Sequence, residues 1–402
     1  MRRLIIGALA MCFMSVASAK AYIEPRVGAR VGYHLSGGDD PFTVQQLFAG
    51  LKYENEFEQV EFKLDTEFSH DFVYDSQNNY STQAEDDLED YWKVDDAYFS
   101  FELFDAYWTL GYQKVVWGEA DDLRVVDVVN PLDLRDFVLF DVDEYRVALP
   151  MLKVEQYIGD ESNLSFLTVF QYQSNRYAPA GAEFGDTAFS GLDERKAGHL
   201  EFGIRFNTYW METDVSLYSF YGYEDDLFSI PDSAGNIQKP LNRFKMFGLS
   251  TSKAIDNWVI RTEWLYEDDL KVMDSSANLV AVNKYQGLLG LDYRYRDWTA
   301  TFQYTDRRYD DWQQTLTVTH TDPTITFSLE REYLSGRLSS RLAITYMDVS
   351  GGGRLDQLKL TYKYNAKTKF NLNLDSLSGN KNNLLGHFRE QDRVWLALTY
   401  YL

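Results

Sequence analysis

Segment after segment of this chain alternates apolar and polar residues with a period of two. Leu200, Phe202, Ile204 and Phe206 fall on one face of their segment, and Glu201, Gly203, Arg205 and Asn207 on the other. Val60, Phe62, Leu64 and Phe68 oppose Glu61, Lys63, Asp65 and Glu67 in the same way, and Trp298, Ala300, Phe302 and Tyr304 oppose Thr299, Thr301, Gln303 and Thr305. The pattern recurs near the end, where Leu358, Leu360, Tyr362 and Tyr364 oppose Lys359, Thr361 and Lys363. Successive side chains of a strand point to opposite faces, so each segment is a strand with one apolar and one polar side. Such a chain folds as antiparallel sheet, and what remains to be settled is which solvent the apolar side meets.

The connections answer that. Short turns (Glu58-Gln59, Phe104-Asp105, Ile255-Asp256-Asn257, Arg296-Asp297, Asn365-Ala366-Lys367) alternate with long acidic loops over 75–91, 177–196, 224–241, 268–283 and 377–390. Outer-membrane barrels keep this order, with turns on the periplasmic side and loops outside. Aromatic residues make up 16% of the chain, with 29 Tyr and 9 Trp, which suits a barrel whose two rims sit among lipid headgroups. No stretch after the leader approaches the roughly 18 apolar residues of a spanning helix.

The spacing predicts strands near 26–35, 45–57, 60–72, 93–103, 106–115, 144–157, 163–176, 197–209, 213–223, 242–254, 257–267, 284–295, 297–309, 323–333, 336–348, 354–364, 368–376 and 391–402. The expected fold is therefore all-β: one transmembrane antiparallel β-barrel of about 18 strands, with 16 as the alternative, closed on itself without a second domain. Most prolines fall in loops or at strand starts, and only Pro150 lies inside an expected strand, where a bulge or a later start is expected. The last residues, Val394, Leu396, Leu398, Tyr400 and Leu402, alternate onto the apolar face and resemble an outer-membrane sorting signal, with Leu where Phe is usual.

At the other end, Arg2 and Arg3 precede an apolar run from Leu4 to Val16 and a small-residue site at Ala17-Ser18-Ala19, the order of a secretory signal peptide. The expected division is a leader over 1–19 and a single barrel domain over 20–402, placed in the outer membrane of a Gram-negative cell. Leu9-Ala10-Met11-Cys12 forms a partial lipoprotein box with Met11 where a small residue is wanted. Cys12, the only cysteine, leaves with the leader, so stability rests on burial and backbone pairing rather than disulfides. The chain carries 39 bases against 62 acids, a formal net charge of −23, which excludes nucleic acid as a partner.

One stretch does not alternate. Residues 115–137, VVWGEADDLRVVDVVNPLDLRDF, are too apolar for a solvated loop and too charged for lipid. Following the fifth strand at the loop end, this stretch is expected to fold inward as an in-barrel loop over 116–143. Trp117, Glu119, Asp121, Asp122, Arg124, Asp127, Asp133, Arg135 and Asp136 are its candidate constriction residues. Charges in a narrow lumen need partners, and Arg26, Arg30, Arg205, Arg261, Arg294 and Arg341 lie on the inward faces of expected strands. Arg124 and Arg135, the only bases among six acids, are expected to hold the stretch in place.

The same run, followed by RVALPMLKVE, resembles the signature of a family of bacterial outer-membrane proteins known as domain of unknown function 1302. That signature has WGE-A-D-x-x-R, then N-P-x-D-L-R, then an L-P-M-L-type strand at this spacing. The resemblance is specific over about forty residues. It implies a porin-like barrel in a family associated with transport of small or hydrophobic compounds, and it implies no reaction and no ligand.

Residue chemistry points away from an enzyme. His34, His70, His199, His320 and His387 are scattered, and neither G-x-S-x-G nor H-E-x-x-H occurs, so no catalytic residue and no cofactor is expected. No metal-ligand motif is present either. Acidic clusters at Glu85-Asp86-Asp87, Glu224-Asp225-Asp226, Glu267-Asp268-Asp269 and Asp310-Asp311 lack the spacing of a calcium loop. They remain candidate seats for divalent cations bridging to lipopolysaccharide, and an acidic vestibule would favour cations. The expected function is passive diffusion of small solutes through a constricted channel in a lipid bilayer. Two alternatives stand beside it: a gated route for hydrophobic compounds, using an apolar pocket near Trp117, Val125, Val126 and Val128, and a scaffold holding a partner protein in its loops or lumen.

Overall fold

A computed structural model describes residues 21–35, 41–76, 80–137, 142–185, 196–226, 230–231, 237–347 and 352–402. The expected leader with its partial lipoprotein box, and residues 138–141 of the expected in-barrel loop, lie outside the described residues. Eighteen strands form one antiparallel sheet. They are β1 (Tyr22–His34), β2 (Phe42–Phe57), β3 (Val60–Asp71), β4 (Asp90–Leu103), β5 (Ala106–Gln113), β6 (Leu149–Ile158), β7 (Ser162–Val169), β8 (Glu201–Trp210) and β9 (Thr213–Tyr223). The ring continues with β10 (Arg243–Ile255), β11 (Trp258–Met273), β12 (Leu279–Tyr295), β13 (Trp298–Tyr309), β14 (Thr324–Tyr333), β15 (Leu338–Met347), β16 (Gly353–Lys363), β17 (Thr368–Gly379) and β18 (Arg393–Tyr401). Each strand pairs with its neighbour in the chain. β1 also pairs with β18, from Arg26 opposite Tyr401 to His34 opposite Arg393, and this seam closes the barrel.

The alternation in the sequence sorts the two faces. Phe202 and Ile204 on β8, Leu249 on β10, Trp264 on β11 and Leu396 on β18 are exposed on the outside, whereas Glu201, Ser250, Glu263 and Ala397 beside them are turned inward and buried. A belt of exposed large apolar side chains is stable against hydrocarbon and costly against water, and closure leaves no unpaired edge. The fold is that of an outer-membrane β-barrel.

The connections of two to four residues all lie at one end, while at the other end β11 and β12 are joined by only the five residues 274–278. Phe104-Asp105 and Met211-Glu212 occupy both central turn positions with φ between 50° and 57°, which is the left-handed twist that joins tightly paired strands. Non-glycine residues hold this conformation because the ladders on either side fix the strands that they join.

Several strand limits differ from the sequence expectation. The acidic segment 268–283, expected as a loop, continues as paired β11 and β12 up to Met273 opposite Leu279, past a register shift between Glu267 and Leu270. β7 ends at Val169 rather than 176, because the following residues leave the wall: Tyr172–Gln173 pairs with Lys196–Ala197, and Arg176–Tyr177 with Asp133–Leu134. β6 begins at Leu149 rather than 144. Pro150 is thus its second residue, opposite Tyr112 with no bulge. Its carbonyl accepts Phe170 N at 2.9 Å where the β7 ladder has already ended, so its missing N–H breaks no ladder bond.

Candidate functional site

The 115–137 segment leaves β5 and runs inside the ring. Its apolar side packs on one part of the wall: Val115, Trp117, Val125, Val126 and Val129 form a buried cluster with Leu149, Met151, Leu167, Val169, Tyr218, Phe220, Phe244, Met246, Leu265 and Leu288. Trp117 lies 5.2 Å from the Tyr218 ring and edge-on to Phe220. Two wall glycines make room for this approach. A Cβ on Gly203 would stand 2.9 Å from the Trp117 ring, and one on Gly248 2.9 Å from Val126 Cγ1.

Three polar side chains shape the segment's backbone. Asn130 Oδ1 accepts Val115 N at 2.8 Å, and its Nδ2 donates to Val147 O at 2.8 Å, which ties the start of the segment to its return. Asp127, 5% exposed, receives Arg146 Nη2 at 2.6 Å and Arg124 Nε at 3.0 Å, while its other oxygen accepts Trp117 N. Glu263 projects inward from β11 and accepts the backbone N–H groups of Glu119, Ala120 and Val126. A buried carboxylate with three backbone donors acts as a template for the loop around it. Gly118, at φ +90°, leaves no room for a side chain beside that carboxylate.

The tip is ion-paired to two further points of the wall. Asp121 pairs with Arg261 of β11 at 2.6 Å, and Arg261 also holds Asp292 at 2.7 Å. Asp122 pairs with Arg341 of β15, which in turn binds Glu330 at 3.0 Å. Burial raises the Asp122 carboxyl above its ordinary range although Arg341 opposes the shift, and burial raises Glu119 against the pull of Arg205 and Arg261.

The second half of the segment turns to the other side. Asn175 Oδ1 accepts Leu132 N at 2.7 Å, and Asp133 is gripped by Arg135 at 2.6 Å, Arg176 at 3.4 Å and the Tyr91 hydroxyl at 2.9 Å. Burial alone would raise the Asp133 carboxyl, but Arg135 and Arg176 outweigh it and hold the group well below the usual carboxylate range. Arg135 also lies 4.1 Å from the Tyr91 ring centre. Asp136 comes within 3.9 Å of Arg393, and Phe137 packs with Phe184 and Phe388 in a second buried cluster.

Of the wall arginines singled out in the sequence, Arg261 and Arg341 meet the tip, and Arg205 lies over Tyr218 while donating to Ser216 at 3.2 Å. Arg26 and Arg30 are instead held by Asp65 and Glu67 of β3. Arg294 is exposed near the short-turn end of β12, two residues from Asp292. Arg124 and Arg135 each form their ion pair with an acid inside the segment, and Arg135 also covers the Tyr91 ring of β4. Glu263, Arg146, Asn130 and Arg393 carry contacts that the sequence did not single out.

The model of the family described as "Protein of unknown function (DUF1302)" matches residues 43–331. The chain belongs to this family. No curated protein sequence matches this DUF1302 barrel. In structure it is similar to OccAB4 of Acinetobacter baumannii, with a TM-score of 0.58 at 9% identity over 95% of this chain and 98% of that one. It is also similar to the outer-membrane protein OpdK of Pseudomonas aeruginosa, with a TM-score of 0.58 at 11% identity over 96% and 99%. OccK2 (OpdF) of Pseudomonas aeruginosa, solved with glucuronate, gives a TM-score of 0.58 at 12% identity over 96% and 98%. At these identities the likeness is one of fold: the DUF1302 chain has the barrel of outer-membrane channels.

Proposed function

We propose that this barrel is a passive channel for small polar solutes, narrowed by the 115–137 segment. The observation that carries this reading is the cross-lumen arrangement of that segment. It leaves the wall at β5 and returns at β6, its tip is ion-paired to β11 and β15, and its apolar side is spent on packing. The space left to a solute runs along the other wall, β1 to β4. A cavity of about 150 Å³ lies there, lined among others by Arg30, Glu67, Tyr91, Asp133, Arg135 and Arg393. At the short-turn mouth a recess of about 830 Å³ is lined by Glu54, Glu56, Glu58, Glu61, Glu102 and Asp105. Those carboxylates, grouped on the β2–β3 and β4–β5 turns, concentrate cations, so cation preference is part of the proposal.

The residues on which hydrophobic uptake would draw speak against it. Trp117, Val125 and Val126 are at most 4% exposed and fill the packed cluster, with Val128 against it. Planar-bilayer recording tests the reading: steady ohmic current with cation preference is expected. A silent barrel that retains an apolar ligand would favour hydrophobic uptake, and a silent barrel with a stable co-purifying protein would favour the scaffold.

A further inference from the structure

His70 lies at the loop-end rim, near the end of β3 and opposite Asp90, the first residue of β4. The chain between them forms two short helices, Val73–Ser76 and Thr82–Leu88. Carboxylates from both ends of this connection converge on the imidazole. Asp90 Oδ1 is 2.9 Å from Nδ1, Glu89 Oε1 is 3.9 Å from Nδ1, and Asp75 Oδ2 is 3.1 Å from Nε2. One donor atom from each of His70, Asp75 and Glu89 lies within 4.8 Å of the others. Phe72 fixes the ring edge-on at 4.4 Å between centroids.

Both ring nitrogens face carboxylate oxygens, which only accept. A neutral imidazole that donates Nδ1–H to Asp90 turns the lone pair of Nε2 toward Asp75, and two acceptors at 3.1 Å repel unless positive charge lies there. That charge is a second proton or a metal ion. The proton makes one positive charge against three carboxylates, and residues 71–90 contain seven acids, Asp71, Asp75, Glu85, Asp86, Asp87, Glu89 and Asp90, with no lysine or arginine. A divalent ion matches the charge better and uses the nitrogen and oxygens together.

We propose that His70, Asp75 and Glu89 form a site for a divalent transition ion of the zinc class, with Asp90 orienting the ring. The nitrogen donor selects against calcium and magnesium, which take oxygen ligands, and imidazole with carboxylate suits zinc, with water completing the shell at this exposed position. A carboxylate on the second imidazole nitrogen is the partner that metal-bound histidines usually have. Tyr74 and Leu88, on the two helices, line the cavity along β1 to β4, so the ion braces one wall of it.

Calorimetric titration of the detergent-purified full chain with zinc chloride, in excess magnesium, tests this without any conduction measurement, so its failure leaves the channel reading standing. One saturable equivalent with proton release is expected. His70→Ala abolishes it, Asp90→Asn weakens it roughly 10–100-fold, and Asp86→Asn, outside the triad, leaves it unchanged. Heat-resistant gel migration reports in each case that the barrel is folded. Zinc binding that survives His70→Ala, or a parent chain that binds none, overturns the proposal and leaves the protonated imidazole as the account of this cluster.

Discussion

Asp122 and Arg341 are 219 residues apart in sequence and ion-paired across the lumen, one on the tip of the inner segment and the other on β15. The pair is only about one-fifth exposed on each side, and it lies beyond the packed cluster that seats the rest of the segment. Together with Asp121–Arg261 it tethers the tip to the wall.

If that pair positions the tip, Asp122→Ala and Arg341→Ala each raise single-channel conductance. The double mutant then adds little beyond Arg341→Ala alone, because that change already removes the Asp122 pair along with the Glu330 contact. Additive increases would mean that the two side chains act separately.

Asp127 holds Arg124 and Arg146 at once, and both it and Arg146 are buried. Asp127→Ala leaves two arginines without that partner and should destabilise the folded segment by roughly 3–5 kcal/mol. Replacing Arg124 and Arg135 together by Ala should loosen it less, since Arg146 still anchors Asp127. Limited proteolysis over residues 125–129 measures both, and equal cleavage rates would remove Arg146 from the account.

Gly248→Val should push Val126 off the wall at a cost of about 1–3 kcal/mol, the usual range for overpacking. Gly287→Val is the control, because its Cβ would meet only Trp264, at 3.6 Å. Hydrogen exchange at Val125 and Val126 should quicken in the first variant and stay at the parent rate in the second.

Asp133 titrates below the ordinary carboxylate range, so the folded state favours its charged form. Its contribution is complete above the unfolded value of about 3.9 and is lost as pH falls through the lower folded value. Protease resistance around residues 132–136 should be flat from neutral pH down to that unfolded value and fall only in stronger acid. Loss already near pH 6 would place control elsewhere.

The barrel was legible because lipid on one side and a polar lumen on the other impose alternation on every strand. Where the alternation breaks, sequence and structure part. At the loop end β11 and β12 continue past the register shift between Glu267 and Leu270, where Asp268-Asp269 breaks the alternation and resembles a loop. Past Val169 the chain no longer belongs to the wall, and Arg176 pairs with Asp133 of the inner segment instead. Phe104-Asp105 carries no Asn-Gly signature, yet the ladders impose the same turn.

The inner segment stood out because it broke the alternation, and its acids were visible as groups in need of partners. Which partners they find depends on register around the ring. Glu263 reads as one more inward polar residue of β11, and nothing local tells that it receives N–H groups from residues 119, 120 and 126. Arg146 is hidden for a different reason: the spacing places it in a strand over 144–157, whereas that strand begins at Leu149.

The seam between β1 and β18 also fixes a calendar for assembly. Arg26 meets Tyr401 and His34 meets Arg393, so the first hairpins wait with an unsatisfied edge until nearly the whole polypeptide has been delivered. Such distant pairing is slow, and an open edge invites wrong partners while it lasts. The inner segment belongs to the first half of the chain and its anchor Arg341 to the last quarter, so the segment cannot be tethered at both ends until the ring is almost drawn shut. A partly built barrel thus has a gap in its wall and, at the same time, an inner segment whose tip lacks its Arg341 contact.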